Sequence, residues 1–352
     1  MLKWCWLADN WQVTSYFGTA TNNWATFASG AVYNLIARFP ELAVYDEWLE
    51  KVRAEDARVI GSATFEDGMC IELSVNYVST ILTTYSTPIA TSRATGAELP
   101  LDDATMTQIY DTLKSLMYMK GPYGGFNLAD GYDTYSNQTS TYKTWYQYEL
   151  FDDDMLEYLA TDGAKGHMPK NPTTRYWAGE RTYIRAGWGE KDTMLSFTNN
   201  NKANASHGHA DALSVVLFAY GKCLLTDQGY GSIQTGGKWE YNKSPVQHNL
   251  VTVNDIEDWL TEGTSKSAST LLRGDGYSLG FEANMQYDFA EYGTELYTTN
   301  KKAQRSVMFV RDANFFIVSD YAVPNDETVG NLYAQHWHMY PGAKFSYDEN
   351  NY

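Results

Sequence analysis

Six histidines occur in the 352-residue chain, and three of them, His207, His209 and His248, fall within 42 residues, with Asp227 between. Neutral imidazole and carboxylate are donors that a borderline metal such as zinc prefers. His209, Asp227 and His248 are therefore the candidate metal ligands. Each falls near the predicted end of a strand, so the three can converge across neighbours. His207 and His209 open the apolar run Leu213 to Tyr220. If that segment is a strand, the spacing of two predicts both rings on one face. His336 and His338 flank Trp337 without an acidic neighbour and read as strand residues. His167, in a polar stretch, reads as exposed.

Those side chains need elements to hold them. Residues 1 to about 160 read as helical. Trp24 to Arg38 carries apolar residues at helical spacing and stops at Phe39-Pro40, where proline disfavours continuation. Glu41 to Ile60, Cys70 to Leu82 and Ala104 to Met119 repeat the pattern. Short connections between such helices suggest an all-α domain of antiparallel hairpins. Gly121 to Lys170 is rich in Gly, Asp, Asn, Tyr and Thr and is expected to be irregular. From Arg175 onward short β-prone runs follow: Thr182 to Trp188, Thr193 to Phe197, Leu213 to Tyr220, Asn249 to Val253, Arg305 to Val310 and Phe315 to Val318. That rhythm predicts an antiparallel β-sandwich. The expected division is 1–165 helical and 166–352 sandwich.

Composition narrows the partners. The net charge is −17, which argues against nucleic acid as a partner of the whole chain. Between Ala164 and Leu250, however, ten basic residues outnumber six acidic ones. This basic segment surrounds the histidine cluster and would favour an anionic substrate locally. Aromatic content is 15%, with 28 Tyr and 11 Trp, enough to fill cores and also to make stacking surfaces for sugar rings. Cys5, Cys70 and Cys223 are odd in number and far apart, and read as thiols rather than a disulfide framework. No apolar run is long enough to span a membrane, and Met1-Leu2-Lys3-Trp4 lacks the apolar stretch of a signal peptide.

The order of these motifs resembles the heparinase II/III-like family of polysaccharide lyases. The carriers are His207-Gly208-His209-Ala210-Asp211-Ala212-Leu213-Ser214, then Leu225-Thr226-Asp227-Gln228-Gly229, then His248-Asn249-Leu250-Val251-Thr252-Val253. Upstream, Asn22-Asn23-Trp24, Phe39-Pro40-Glu41 with Trp48, and Asp67-Gly68 with Glu72 and Tyr77 are similar to the family's helical segments. The resemblance implies a multidomain α and β chain, an (α/α) toroid followed by an antiparallel β-sandwich. It covers roughly residues 20–255. Both ends look shorter than the family pattern, so a partial toroid and a shortened sandwich are expected.

By the same resemblance the reaction is β-elimination on a uronate polysaccharide. The uronate carboxylate must be neutralised, a base must take the C5 proton, and an acid must protonate the departing O4. Asn23 and His207 match the neutralising and proton-handling positions, and Tyr77 matches the catalytic tyrosine. A free phenol has a pKa near ~10, so Tyr77 needs a nearby positive group to ionise. Tyr241 is the candidate second tyrosine, with Tyr230 the alternative. Trp24, Glu72, Arg185 and Tyr230 are candidate substrate contacts, although Glu72 taken alone reads as a buried structural partner. His209, Asp227 and His248 match the family's metal ligands, usually zinc, in a site-ordering role. Trp24 stands where some members carry histidine, which leaves Tyr77 or His207 as the base.

Two other readings stay open on the sequence. A metal-dependent hydrolase can use His-x-His-x-Asp to activate water, but Ala212 occupies the place where a further histidine normally follows. A catalytically silent, glycan-binding relative is the other. The substrate would be an anionic polysaccharide, glycosaminoglycan-like or alginate-like, and such polymers imply a periplasmic, secreted or cell-surface location. No nucleic acid and no membrane insertion are expected, and the oligomeric state is open.

Overall fold

The structure, a computed structural model, describes residues 17–19, 23–122, 138–199, 207–229, 242–254, 276–294, 300–324, 326–340 and 342–344. The chain forms two compact units. One runs over 1–171 with 176–179 and 202–207; the other takes 172–175, 180–201 and 208–352. The units thus interleave in sequence between 172 and 208, where composition suggests a single break.

The helical unit contains α1 (Asn23–Ile36), α2 (Tyr45–Ala63), α3 (Val75–Thr95), α4 (Asp103–Tyr118), α5 (Thr139–Tyr146) and α6 (Asp154–Ala160). Ala25, Ala28, Val32, Tyr33 and Ile36 recur at helical spacing on α1 and are buried. Val32, Tyr33 and Ile36 close a core with Trp48, Leu49 and Val52 of α2. Fully burying such side chains is worth about 1.5–3 kcal/mol each. Asp102 accepts from Thr105 N at 2.8 Å and Asp153 from Leu156 N at 2.7 Å, capping α4 and α6 in the manner that satisfies free N–H groups of a first turn. Helix α3 ends at Gly96, whose φ of +75° lets its N–H reach Ser92 O.

Helix α3 departs most from its sequence expectation. It begins at Val75, not Cys70, and runs to Thr95 through Pro88. Its Ser and Thr residues look loop-forming by composition. In the helix their hydroxyls turn back on the backbone: Thr80 donates to Asn76 O, Thr83 to Ser79 O and Thr95 to Thr91 O, at 2.8–2.9 Å.

The second unit has a five-stranded sheet in the order β1 (Thr174–Tyr176), β2 (Arg181–Arg185), β3 (Met194–Thr198), β4 (Val215–Ala219), β5 (Lys222–Leu225). A four-stranded sheet has the order β10 (Phe315–Pro324), β9 (Asn300–Val310), β8 (Tyr287–Thr294), β7 (Gly276–Ala283), and β6 (Val251–Val253) pairs β11 (Tyr333–Gln335). The pairs β2/β3, β3/β4, β4/β5, β7/β8, β8/β9, β9/β10 and β6/β11 are antiparallel. Ile184, Leu195, Phe197, Leu213 and Val215 from the first sheet side meet Ala290, Tyr292, Ala303, Val307 and Phe309 from the second. A shared core between two sheets is the sandwich expected. Strands β7 and β8 escape a hydrophobicity reading because Gly, Glu, Asp and Tyr interrupt them; only alternate β8 residues are buried over most of its length. Among the described residues no helix is long and apolar enough to cross a membrane.

Candidate active site

In the helical unit a tight reversal precedes α3. Thr64 and Cys70 bridge as antiparallel partners, and Phe65 N donates to Met69 O at 2.8 Å. Gly68 sits at the turn with φ +81°, and a Cβ there would lie 2.5 Å from the carbonyl carbon of Asp111. Only glycine fits. The turn aims Asp67 so that its Oδ2 accepts from Ala178 N at 2.7 Å and Gly179 N at 3.1 Å. Leu73, at φ +53°, then bends the chain into α3.

This path delivers Glu72 and Tyr77 to His207. The Tyr77 and His207 rings lie 4.2 Å apart between centroids, tilted by 34°. His207 Nε2 is 3.8 Å from Glu72 Oε1, and the Glu72 side chain is 3% exposed against 22% for His207. A phenol, an imidazole and a buried carboxylate are thus brought together, the side-chain types that general acid–base chemistry uses. Glu72 is too enclosed to be a substrate contact; its part is to face His207. Asn23 opens α1 and is half-buried, and α1 packs on α3, which carries Tyr77. Trp24 is 62% exposed, and Phe27, which the sequence reading passed over, is 58% exposed one turn later. Their spacing of three on one helix was the available signal.

In the sandwich unit His209, Asp227 and His248 converge, each with a ligand atom within 4.8 Å of the others'. His209 and His248 are 0% exposed and Asp227 8%. Asp227 Oδ2 and His248 Nδ1 are 2.8 Å apart, and Gly229 N donates to Asp227 Oδ1 at 2.8 Å. Burial pushes the Asp227 carboxyl up, but His248, with His209 and the Gly229 N–H, more than offsets it and holds the carboxyl below its usual range. Burial likewise opposes the charged form of His248, and Asp227 raises its pKa nonetheless.

The condition under which His207 and His209 would share a strand face is not met, while the strand expected over Leu213 to Tyr220 is present as β4. Strand β4 starts at Val215, and residues 207–214 form turns. Ala210 N donates to Lys243 O, Ser214 N to Asp211 O, and Leu213 takes φ +68°. In consequence His207 belongs to the helical unit and His209 to the other. His336 and His338 also lie just beyond β11 rather than in it; His336 Nε2 meets Thr252 Oγ1 at 2.9 Å and His338 Nε2 meets Val246 O at 3.0 Å.

Arg185 is corrected too. It is 2% exposed, with its guanidinium over the Trp188 ring at 4.3 Å, so it is an internal side chain and not a substrate contact. Arg181 and Lys243 are buried as well, which shrinks the basic surface inferred from residue counts. Tyr230 and Tyr241 lie outside the described residues.

Two family models match the chain in order. Heparinase II/III N-terminus matches residues 6–158, and Heparinase II/III-like, C-terminal, matches 178–352. The chain belongs to the heparinase II/III family. A curated relative, the heparin-sulfate lyase of Bacteroides stercoris, is 27% identical over 186 residues, covering 51% of this chain and 25% of the relative. The crystal structure of a heparinase III superposes with a TM-score of 0.76 at 18% identity, covering 92% of this chain and 50% of that one. A heparan sulfate lyase from Pedobacter heparinus gives a TM-score of 0.74 at 17% identity, covering 91% and 48%. This heparinase II/III chain therefore has the toroid-plus-sandwich fold of those structures while spanning about half their length. The hydrolase reading loses its motif in this family member: His207 lies with Tyr77, and the group able to hold a metal among the described residues is His209, Asp227 and His248.

Proposed function

We propose that the chain is a polysaccharide lyase acting on a uronate-containing glycosaminoglycan by β-elimination. The observation that carries this reading is the Tyr77–His207 ring contact backed by buried Glu72, in a chain matched by both heparinase II/III models. In elimination the C5–H bond breaks, its electron pair forms the C4–C5 double bond, and the C4–O4 bond breaks. O4 takes up a proton, and no water is consumed. In this reading Tyr77 handles a proton through its hydroxyl. His207 is the group beside the phenol, and the Glu72 carboxylate faces its imidazole. Asn23 contributes a neutral amide for the uronate carboxylate, and Trp24 with Phe27 offers apolar faces for sugar rings.

His209, Asp227 and His248 suit a metal, and zinc is the ion proposed. The fit rests on the donor set and on His248 Nε2, a buried nitrogen with no hydrogen-bond partner among the described residues. When bound, zinc would order the turns bearing its ligands. The proposed substrates are extracellular polymers, so a periplasmic, secreted or cell-surface location goes with this reading.

The test is ultraviolet absorbance with heparan sulfate, chondroitin sulfate, hyaluronan and alginate supplied separately. Elimination creates a conjugated 4,5-unsaturated uronate, and hydrolysis does not. We expect absorbance to rise with a glycosaminoglycan and the rate to fall by about 10²–10⁴ in Tyr77→Phe, the usual range for positioned acid–base catalysis. A full rate in Tyr77→Phe would refute the mechanism.

A further inference from the structure

Around the metal-type triad, one side chain on the His248 segment bonds the backbone of the segments that follow His209 and precede Asp227. Asn249, directly after His248, donates from Nδ2 to Val215 O at 2.8 Å and to Thr226 O at 2.9 Å. Its Oδ1 accepts from His338 N at 2.6 Å. Its backbone N–H donates to Ser214 Oγ at 3.1 Å. Val215 continues the segment from His209, and Thr226 precedes Asp227. One amide therefore fixes the spacing of the three turns.

Arg305 on β9 completes the device from the other sheet. It is 0% exposed. Its Nη1 donates to Leu213 O at 2.9 Å and also to Asn249 O. Nε and Nη2 form a two-pronged pair with Asp320 at 2.6 and 2.9 Å, and the Trp337 ring lies 5.2 Å from the guanidinium carbon. Asp320 is the registered partner of Arg305 across β9 and β10, and Gln335 Nε2 holds its Oδ2 at 2.7 Å. The carbonyl that Arg305 grips belongs to Leu213, a branched residue at φ +68°. Left-handed backbone at such a residue costs free energy and persists only where surrounding bonds impose it. A planar guanidinium suits this task, because its fixed fork can serve two carbonyls and one carboxylate together.

We infer that Arg305 and Asn249 are positioning residues that preset His209, Asp227 and His248 for a metal ion. The inference rests on the metal reading above and goes beyond it, since neither residue is a ligand. Outer bonds of this kind typically change metal affinity by about ten- to a hundredfold when removed.

The test is zinc affinity, measured by competition with a chromophoric chelator, in Arg305→Lys, Asn249→Ala and a control, Arg311→Lys. Arg311 is an equivalent arginine of the same unit: it pairs with Asp288 at 2.6 Å and donates to Asn284 O at 2.9 Å and Arg185 O at 3.2 Å, contacts that include no candidate ligand. We expect zinc binding to weaken by about ten- to a hundredfold in the first two variants and to stay within about twofold in the control. Equal losses in Arg305→Lys and Arg311→Lys would mean a general packing effect and would overturn the inference. So would unchanged affinity in both Arg305→Lys and Asn249→Ala. If Arg305→Lys fails to fold, Asp320→Asn retains the arginine while weakening its anchor, and a several-fold loss is then expected, with no loss counting against the idea. A wild-type chain that takes up no zinc would refute the metal reading itself, which separates that failure from this one.

Discussion

Tyr77 and His207 are 130 positions apart in sequence and in ring contact in the fold. If they act as one proton-handling unit, their losses must not add. Removing either partner leaves the other without its function, as is common where residues work together. Tyr77→Phe, His207→Ala and the double variant should therefore turn over at nearly the same residual rate. Initial velocities from unsaturated-uronate absorbance measure this. A double variant slower by the product of the two single losses would show independent roles. Two juxtapositions could be anticipated from the sequence: His209, Asp227 and His248 converge, and Tyr77 meets His207. What misled was local geometry. Alternation in His207-Gly208-His209 suggests a strand, yet small residues and a left-handed Leu213 make turns there. Arg185 was misread for a different reason, since a charged side chain in sequence carries no mark of whether its partners are inside; Glu72, buried as its residue type alone suggested, departs only from the substrate contact that the resemblance implied.

At the scale of elements, the helical unit holds a buried acid that no mechanism uses. Asp56 on α2 accepts from Ser29 Oγ of α1 at 2.5 Å, and Tyr85 Oη of α3 donates to Asp56 O at 2.8 Å. Burial pushes the Asp56 carboxyl up to about 7, with Ser29 opposing and Glu55 adding to the rise. In the unfolded chain an aspartate has a pKa of about 3.9. Between these values the folded state holds a proton that the unfolded state releases, so stability falls as pH rises. The contribution is whole below about pH 4 and spent above about pH 7. Asp56→Asn, which stays neutral and still accepts from Ser29, should flatten this slope. Thermal midpoints at pH 5 and pH 8 decide it: the parent should lose more on going to pH 8 than the variant. Equal losses would show that Asp56 does not govern the slope. Such a site is invisible to periodicity, which finds the apolar face of α2 and says nothing of a carboxyl placed within it. The extension of α3 was hidden similarly, because hydroxyls that bond their own helix look like loop residues on paper.

For the molecule as a whole, charge and substrate pull in opposite directions. The chain carries −17, and the proposed substrates are polyanions. Arg181, Arg185 and Lys243, three of the ten basic residues in the segment that surrounds the histidines, are buried. They add little to an attractive surface, so the long-range field felt by an approaching polymer is repulsive. Screening acts over about 30 Å at 0.01 M salt and about 8 Å at 0.15 M. Raising salt across that range should remove the distant repulsion while sparing contacts made at close range. We therefore expect kcat/KM on a glycosaminoglycan to hold level or rise between about 0.01 and 0.15 M sodium chloride, and to fall only at higher salt. Most enzymes that attract a polyanion with a basic surface should show the reverse, a steady decline from the lowest salt upward. A steep decline here would show that exposed cations near the site outweigh the net charge, and that burial of the three basic residues removes less attraction than a count of charges suggests.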